Sequence, residues 1–161
     1  EYGQQKKEVE DFIIENIKEY LIIRLGKVFG LNENGGIFME WLDKYKKNEE
    51  ILCIDDEELS LTYAEDIAKG IEILMEKNKR GIYHIDSMMR RSRYEFAMDF
   101  FSYLEIKDAK IKKCPLKYFN FIDERAKNQF LDSSKFIRET NFEFTPIEEC
   151  YDKIKKNLFI N

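Results

Sequence analysis

A tyrosine and a lysine one helical turn apart form the first candidate catalytic pair of this sequence. Tyr2 and Lys6 open a segment whose apolar positions recur with the period of an α-helix. At this spacing a phenol and an ammonium group lie side by side on one helix face. A neighbouring positive charge favours phenolate over phenol and so lowers the pKa of a tyrosine from about 10 toward neutrality. Such a tyrosine can exchange a proton with a substrate oxygen.

The same lysine also has a purely structural interpretation. Lys6 falls on one helical arc with Val9, Ile13 and Ile17. Lysine is rarely buried without a partner, so its stem could pack on the core while its ammonium reaches water. Because short spacings of this kind recur by chance, the pair alone does not decide between catalysis and packing.

Bulk composition predicts one soluble globular domain and argues against several classes of function. The 161 residues are 43% apolar and 37% charged, and the net charge of −5 argues against nucleic-acid binding. No apolar run approaches the ~20 residues of a membrane span, and no signal sequence is recognisable. Cys53, Cys114 and Cys150 match no metal spacing. They are typical of free thiols in a reducing cytoplasm, which is the predicted location.

Strand and helix patterns alternate along the chain, which predicts an α/β fold with a largely parallel sheet. Strand patterns occupy 20–25, 51–54 and 81–85, with weaker ones at 110–114 and 118–122. Capping boxes predict where three helices begin. These boxes pair Thr62 with Glu65, Ser92 with Glu95, and Thr145 with Glu148, the last with Pro146 at the first helical position.

Several stretches then resemble, in order, the C-terminal part of an extended short-chain dehydrogenase/reductase. The closest group is the dTDP-4-dehydrorhamnose reductase-like nucleotide-sugar enzymes. The matching stretches are Tyr2-Gly3-Gln4-Gln5-Lys6 with Glu10, and residues 23–30, 62–68, 81–84, 92–97 and 131–135. The resemblance implies the C-terminal part of a Rossmann-like NAD(P)-binding fold plus the smaller α/β substrate-binding domain.

The resemblance also implies a division of the chain. Residues 1–30 would be the last helix and strand region of the dinucleotide-binding domain. Residues 31–161 would be mostly substrate-binding domain, with 62–85 returning to the Rossmann sheet.

The implied activity is NAD(P)H-dependent reduction or epimerisation of a nucleotide-diphosphate sugar. Tyr2 would be the general acid that protonates the sugar oxygen as hydride reaches its carbon. Lys6 would bind the nicotinamide ribose and favour the ionised form of Tyr2, and both residues would therefore contact the cofactor. Leu25 and Val28 would lie against the nicotinamide.

Two cations are implied on the substrate side. Lys27 stands where rhamnose-forming reductases typically carry a tryptophan facing the sugar; a lysine there could pair with a diphosphate or point into solvent. Arg125 stands where family members often place an arginine on the nucleotide diphosphate. Three departures accompany it: Ala126 replaces the usual following proline, and Glu57 and Leu61 replace the usual glutamine and proline before Thr62.

The glycine-rich turn that binds the cofactor pyrophosphate is not found in these residues, nor is the Ser/Thr that precedes the tyrosine in this family. The chain also begins without methionine, inside a helix pattern. We therefore expect a fragment that is inactive alone and does not bind NAD(P)H. An exposed first helix leaves a homodimer through that helix open.

Alternatives remain at this stage. A non-catalytic regulatory subunit of the same fold, similar to the methionine adenosyltransferase partner, is the second functional interpretation. The sequence does not choose the sugar, reductase or epimerase, or NADH or NADPH. The simplest roles of other residues are structural: His84 as a hydrogen-bonded residue at or near the core, Phe119 and Phe121 as packing, and the acidic run 55–58 as a turn, since it lacks the ligand spacing of a metal site.

Overall fold

The computed structural model describes residues 2–31, 36–122 and 125–159. The helices are α1 (Tyr2–Asn16), α2 (Ile37–Lys46), α3 (Ala64–Glu76), α4 (Arg93–Tyr103), α5 (Ser134–Thr140) and α6 (Ile147–Phe159). The strands are β1 (Leu21–Leu25), β2 (Lys27–Phe29), β3 (Ile51–Ile54), β4 (Glu58–Leu59), β5 (Leu61–Tyr63), β6 (Gly81–Ile85), β7 (Ile111–Cys114) and β8 (Asn128–Gln129).

The strands pair in parallel, as the alternation of strands and helices predicts. β1 pairs with β6, β2 with β5, β3 with β7, and β4 with β8. The first pair runs in register from Leu21 opposite Gly81 to Leu25 opposite Ile85. Each pairing joins strands distant in sequence, so the predicted α/β class is confirmed. The division into two domains stays a prediction.

Two hydrophobic cores hold these layers together. The larger is aromatic: Phe38 of α2, Phe100 of α4 and Tyr151 of α6 meet with ring centroids 4.9 to 5.3 Å apart. The smaller lies between β6, α3 and α5 and is built around Tyr83 and Phe136. Edge-to-face and tilted aromatic pairs of this kind add to the stabilisation from burial alone.

The first two predicted capping boxes have opposite outcomes. The Ser92 box is confirmed: the Ser92 Oγ accepts from the Glu95 N–H at 3.1 Å, and Glu95 accepts from the Ser92 N–H at 2.7 Å. The Thr62 box is wrong. Thr62 lies in β5, and its Oγ1 accepts from the backbone N–H of Ser87, so α3 begins only at Ala64. Pairing with β2 and a hydrogen bond from a distant loop outcompete the local cap.

Two further local predictions differ from the structure. The hydroxyl of Thr145 donates to the buried carboxylate of Asp66 at 2.7 Å, and α6 begins at Ile147, one residue later than predicted. No strand forms over 118–122; a short 3-10 helix, Leu116–Tyr118, ends at the first residue of this stretch. The hydrogen bonds found for Thr145 within the described residues both join it to Asp66.

None of the helices in the described part of the chain has the length and apolar character needed to cross a membrane.

Candidate active site

Lys27 lies where three surface cavities adjoin. The first, about 410 Å³, is lined by Lys27, Val28 and Arg93 among others, and the second, about 400 Å³, by Leu25 and Lys27. The third, about 380 Å³, is lined by Lys27, Arg93 and Arg125. The structure therefore brings together four of the six predicted site residues, which come from opposite parts of the sequence. We call this group of cavities the Lys27 cleft.

The Lys27 cleft brings Lys27, Arg93 and Arg125 close together, and carboxylates also line it. Burial, reinforced by the nearby charges of Arg93 and Arg125, holds the pKa of Lys27 below the usual lysine value of 10.5. No salt bridge to Lys27 or Arg125 is found within residues 2–31, 36–122 and 125–159. A partly desolvated cation without a salt bridge among the described residues is suited to an anionic ligand.

Arg93 is a site residue that the sequence did not single out. It is the first residue of α4, so the Ser92 cap fixes its backbone beside the cleft. Its Nε donates to the carboxylate of Glu57, which is only 2% exposed. The sequence signal was a cationic residue directly after a helix cap, but its acidic partner lies 36 positions away.

Two phenylalanines form an aromatic wall of the third cavity rather than part of either core. The rings of Phe119 and Phe121 lie 5.8 Å apart, and Phe121 is 37% exposed. The guanidinium of Arg125 stacks on Phe121 with 3.9 Å between its central carbon and the ring centroid. The structure thus differs from the predicted packing role, because these rings line a cavity beside a cation.

The predicted nicotinamide contacts are Leu25, the last residue of β1, and Val28, the middle residue of β2, and they are 43% and 41% exposed. We call these two residues the apolar edge. Gly26 lies between the two strands, and any Cβ there would collide with the Asp86 carboxylate. Asp86 is fully buried and accepts from the backbone N–H groups of Met88 and Leu131, each at 2.9 Å. This buried carboxylate ties the loop that follows β6 to the segment that follows β8, beside Gly26.

Tyr2 and Lys6 are neighbours on α1, but they do not line the Lys27 cleft. The Lys6 Nζ lies 5.5 Å from the centre of the Tyr2 ring, and Tyr2 is 72% exposed. None of the α1 side chains is buried, so the stem of Lys6 does not pack on a core within the described residues. The helix is tied to β1 by Glu10, whose carboxylate accepts from the Arg24 Nε at 3.0 and 3.2 Å.

The remaining candidate residues have structural roles. The Nδ1 of half-buried His84 lies 3.1 Å from the carbonyl oxygen of Asp132, in agreement with the predicted hydrogen-bonded role.

The three cysteines are buried and free, and burial raises the pKa of the Cys53 and Cys150 thiols to about 12, which makes them poor nucleophiles. Among the described residues, no three His, Cys, Asp or Glu side chains are grouped to hold a metal ion.

The parallel α/β architecture is that of the Rossmann-like short-chain dehydrogenases/reductases that act on nucleotide sugars. Residues 1–158 match the RmlD substrate-binding domain, and the chain belongs to this family. A comparison with curated protein sequences gave no significant match.

Solved structures agree with this assignment. The dTDP-4-dehydrorhamnose reductase of Bacillus anthracis, in complex with NADP, is 26% identical, with a TM-score of 0.82, 97% of this chain covered and 55% of that one. An orthologous reductase from Clostridium acetobutylicum is 21% identical, with a TM-score of 0.81 and coverages of 99% and 56%. The UDP-N-acetylglucosamine 4-epimerase of Methanobrevibacter ruminantium, in complex with UDP-N-acetylmuramic acid, is 16% identical, with a TM-score of 0.73 and coverages of 94% and 50%. The chain therefore spans about half the length of each of these enzymes.

Proposed function

We propose that this chain is the C-terminal portion of an NAD(P)-dependent reductase or epimerase of nucleotide-diphosphate sugars. The observation that carries the proposal is the convergence of Lys27 and Arg125 on one cleft, beside the exposed edge formed by Leu25 and Val28. Family membership supports the substrate class. The solved reductase in complex with NADP supports the cofactor of this proposal. The solved epimerase in complex with UDP-N-acetylmuramic acid supports a nucleotide sugar as the substrate.

In this proposal Lys27 and Arg125 bind the diphosphate. The ammonium of Lys27 acts as a point charge, and the guanidinium of Arg125 offers paired N–H donors of fixed geometry. Since Lys27 also lines the cavity that contains Leu25, a sugar attached to this diphosphate would extend toward the apolar edge. Tyr2 would hold a proton for the sugar oxygen, and Lys6 would keep the phenol oriented.

The cofactor contact of this chain would be confined to the nicotinamide end. When bound, the cofactor supplies the hydride. The exposed apolar side chains of Leu25 and Val28 would lie against the nicotinamide ring, while the chain offers no glycine-rich turn for the pyrophosphate. We infer that the isolated chain is inactive and has no appreciable affinity for NAD(P)H, and that the complete protein works in the cytoplasm.

The depressed pKa of Lys27 predicts how nucleotide-sugar affinity depends on pH. The ammonium is lost at a lower pH than for an ordinary lysine, so affinity is present at neutral pH and falls as the pH rises toward 10.5. Lys27→Arg keeps its charge throughout this range and should remove the alkaline decline. Titrations with dTDP-glucose of the complete protein and of its Lys27→Arg variant, from neutral pH to pH 10.5, would measure how the affinity declines. An identical decline in both proteins would exclude Lys27 as its origin.

Deuterium tracing tests the reaction class. The complete protein is incubated with [4-²H]NADPH and a nucleotide-linked 4-dehydro sugar, and the sugar product is examined by mass spectrometry. A reductase places deuterium on the sugar carbon with net loss of NADPH. In a parallel incubation with a nucleotide-linked 4-hydroxy sugar, an epimerase that uses a bound cofactor would invert the configuration at the hydroxyl-bearing carbon without net loss of cofactor. Binding of nucleotide sugar with neither result would favour the regulatory-subunit interpretation.

A further inference from the structure

The acidic turn at 55–58 supplies buried support for the Lys27 cleft. We propose that Glu57 is a positioning residue that fixes Arg93 and Gln129 beside the cleft and offsets the charge of Arg93, so that the cleft favours a diphosphate diester over ligands of higher negative charge. The inference rests on the proposed function.

The geometry gives Glu57 two distinct partners. Its Oε1 accepts from the Arg93 Nε, and its Oε2 accepts from the Gln129 Nε2 at 3.0 Å. Arg93 lines the first and third cavities, and Gln129 lines the second. The side chain of Glu57 has no exposed surface, whereas that of Arg93 is 21% exposed. The carboxylate therefore acts from beneath the cleft and can influence a ligand only through its partners.

A second tie comes from the neighbouring carboxylate. Asp56 accepts from the Lys127 Nζ at 3.3 Å, and the backbone N–H of Glu58 donates to the Lys127 carbonyl at 2.7 Å. The acidic turn thus holds the segment that contains Arg125 and Gln129 against the beginning of α4. The acidic turn therefore contacts two of the parts of the chain that line the cleft, the beginning of α4 and residues 125–129.

Two cations of the cleft have carboxylate partners: Glu57 offsets Arg93, and Glu40 offsets Lys44, which also lines the third cavity. Asp43 also lines the first cavity, and Glu50, which is paired with Lys112, lines the third. Within residues 2–31, 36–122 and 125–159, Lys27 and Arg125 line the cleft without a salt bridge, and they are the proposed diphosphate contacts. A glutamine at position 57 would leave Arg93 unbalanced and would favour ligands of higher negative charge.

This mechanism predicts a change of selectivity rather than a general loss of binding. A free nucleoside diphosphate carries more negative charge than a nucleotide sugar, because its terminal phosphate ionises a second time near neutral pH. We expect Glu57→Gln in the complete protein to raise the ratio of the Kd for dTDP-glucose to the Kd for dTDP by about fivefold, the size of a partly screened charge interaction. Isothermal titration of both ligands measures the ratio.

Three further variants separate charge balance from folding. Arg93→Gln leaves the Glu57 carboxylate unbalanced and should shift the ratio in the opposite direction, and it tests the mechanism even if Glu57→Gln is unstable. The double variant Glu57→Gln/Arg93→Gln should return the ratio to that of the unaltered protein. Glu139→Gln is the matched control, since Glu139 accepts from Lys79 and Tyr83 at 2.9 and 2.7 Å and does not line the Lys27 cleft.

The outcomes distinguish the two proposals. Failure of the unaltered protein to bind dTDP, dTDP-glucose, UDP or UDP-glucose would contradict the proposed function. Normal binding by the unaltered protein, with both ligands weakened equally in Glu57→Gln and Arg93→Gln, would overturn the role of Glu57 alone. The ion pair between Glu57 and Arg93 would then have only a structural role.

Discussion

Replacing Tyr2 with phenylalanine is expected to lower kcat of the complete enzyme by about two to four orders of magnitude, the usual contribution of a general acid. The substitution removes one oxygen from a side chain that is 72% exposed in this chain, so folding should be unaffected. The Kd of the nucleotide sugar should change little, because the proposed binding charges lie on Lys27 and Arg125. Steady-state turnover and equilibrium titration together measure the two effects.

Matched controls make this prediction specific. Tyr103→Phe also removes a phenol oxygen, one that donates to Asp152 at 2.9 Å, and should leave turnover unchanged. Lys6→Met should lower turnover and weaken cofactor binding together, since Lys6 is proposed to contact the nicotinamide ribose. Turnover of Tyr2→Phe equal to that of the unaltered enzyme would remove Tyr2 from the mechanism.

The second large effect is expected from removal of Lys27 and Arg125, which form no salt bridge within residues 2–31, 36–122 and 125–159. Each charge-assisted hydrogen bond contributes about 1.5–3 kcal/mol, so Lys27→Met and Arg125→Ala should each weaken nucleotide-sugar binding by about tenfold or more. The double variant should weaken it by at least about a hundredfold if the two contacts are independent. Affinity for NADPH should be retained, and titration with dTDP-glucose and NADPH measures both.

Lys44 provides the control for a general charge effect. It lines the same cavity as Arg125, but its ammonium lies 3.1 Å from the Glu40 carboxylate. Lys44→Met should therefore weaken nucleotide-sugar binding much less than Lys27→Met. Equal losses in the two variants would mean that the cleft attracts anions by its overall potential and that Lys27 makes no specific contact.

The fold could be predicted well from local patterns, except where tertiary contacts compete with them. The apolar strands 51–54 and 81–85 and the Ser92 box were predicted correctly because each depends on its own residues. Thr62 was predicted incorrectly because its hydroxyl is taken by Ser87, from a loop that the sequence does not bring near.

The candidate site could be predicted only in part, for the same reason. Resemblance to a family indicated Lys27 and Arg125, and the structure places both in one cleft. Arg93 and its partner Glu57 were missed as site residues, because a buried ion pair depends on two segments meeting in space. The family pattern marked position 57 only as a departure. The Tyr2–Lys6 pair is adjacent in the structure, and its catalytic role stays a prediction.

The most direct test is a crystal structure of the complete protein with dTDP-glucose or UDP-glucose bound. We predict that the diphosphate contacts both the Lys27 Nζ and the Arg125 guanidinium, with the sugar directed toward Leu25 and Val28. A nucleotide sugar bound elsewhere, with Lys27 and Arg125 free of phosphate, would contradict the proposed site.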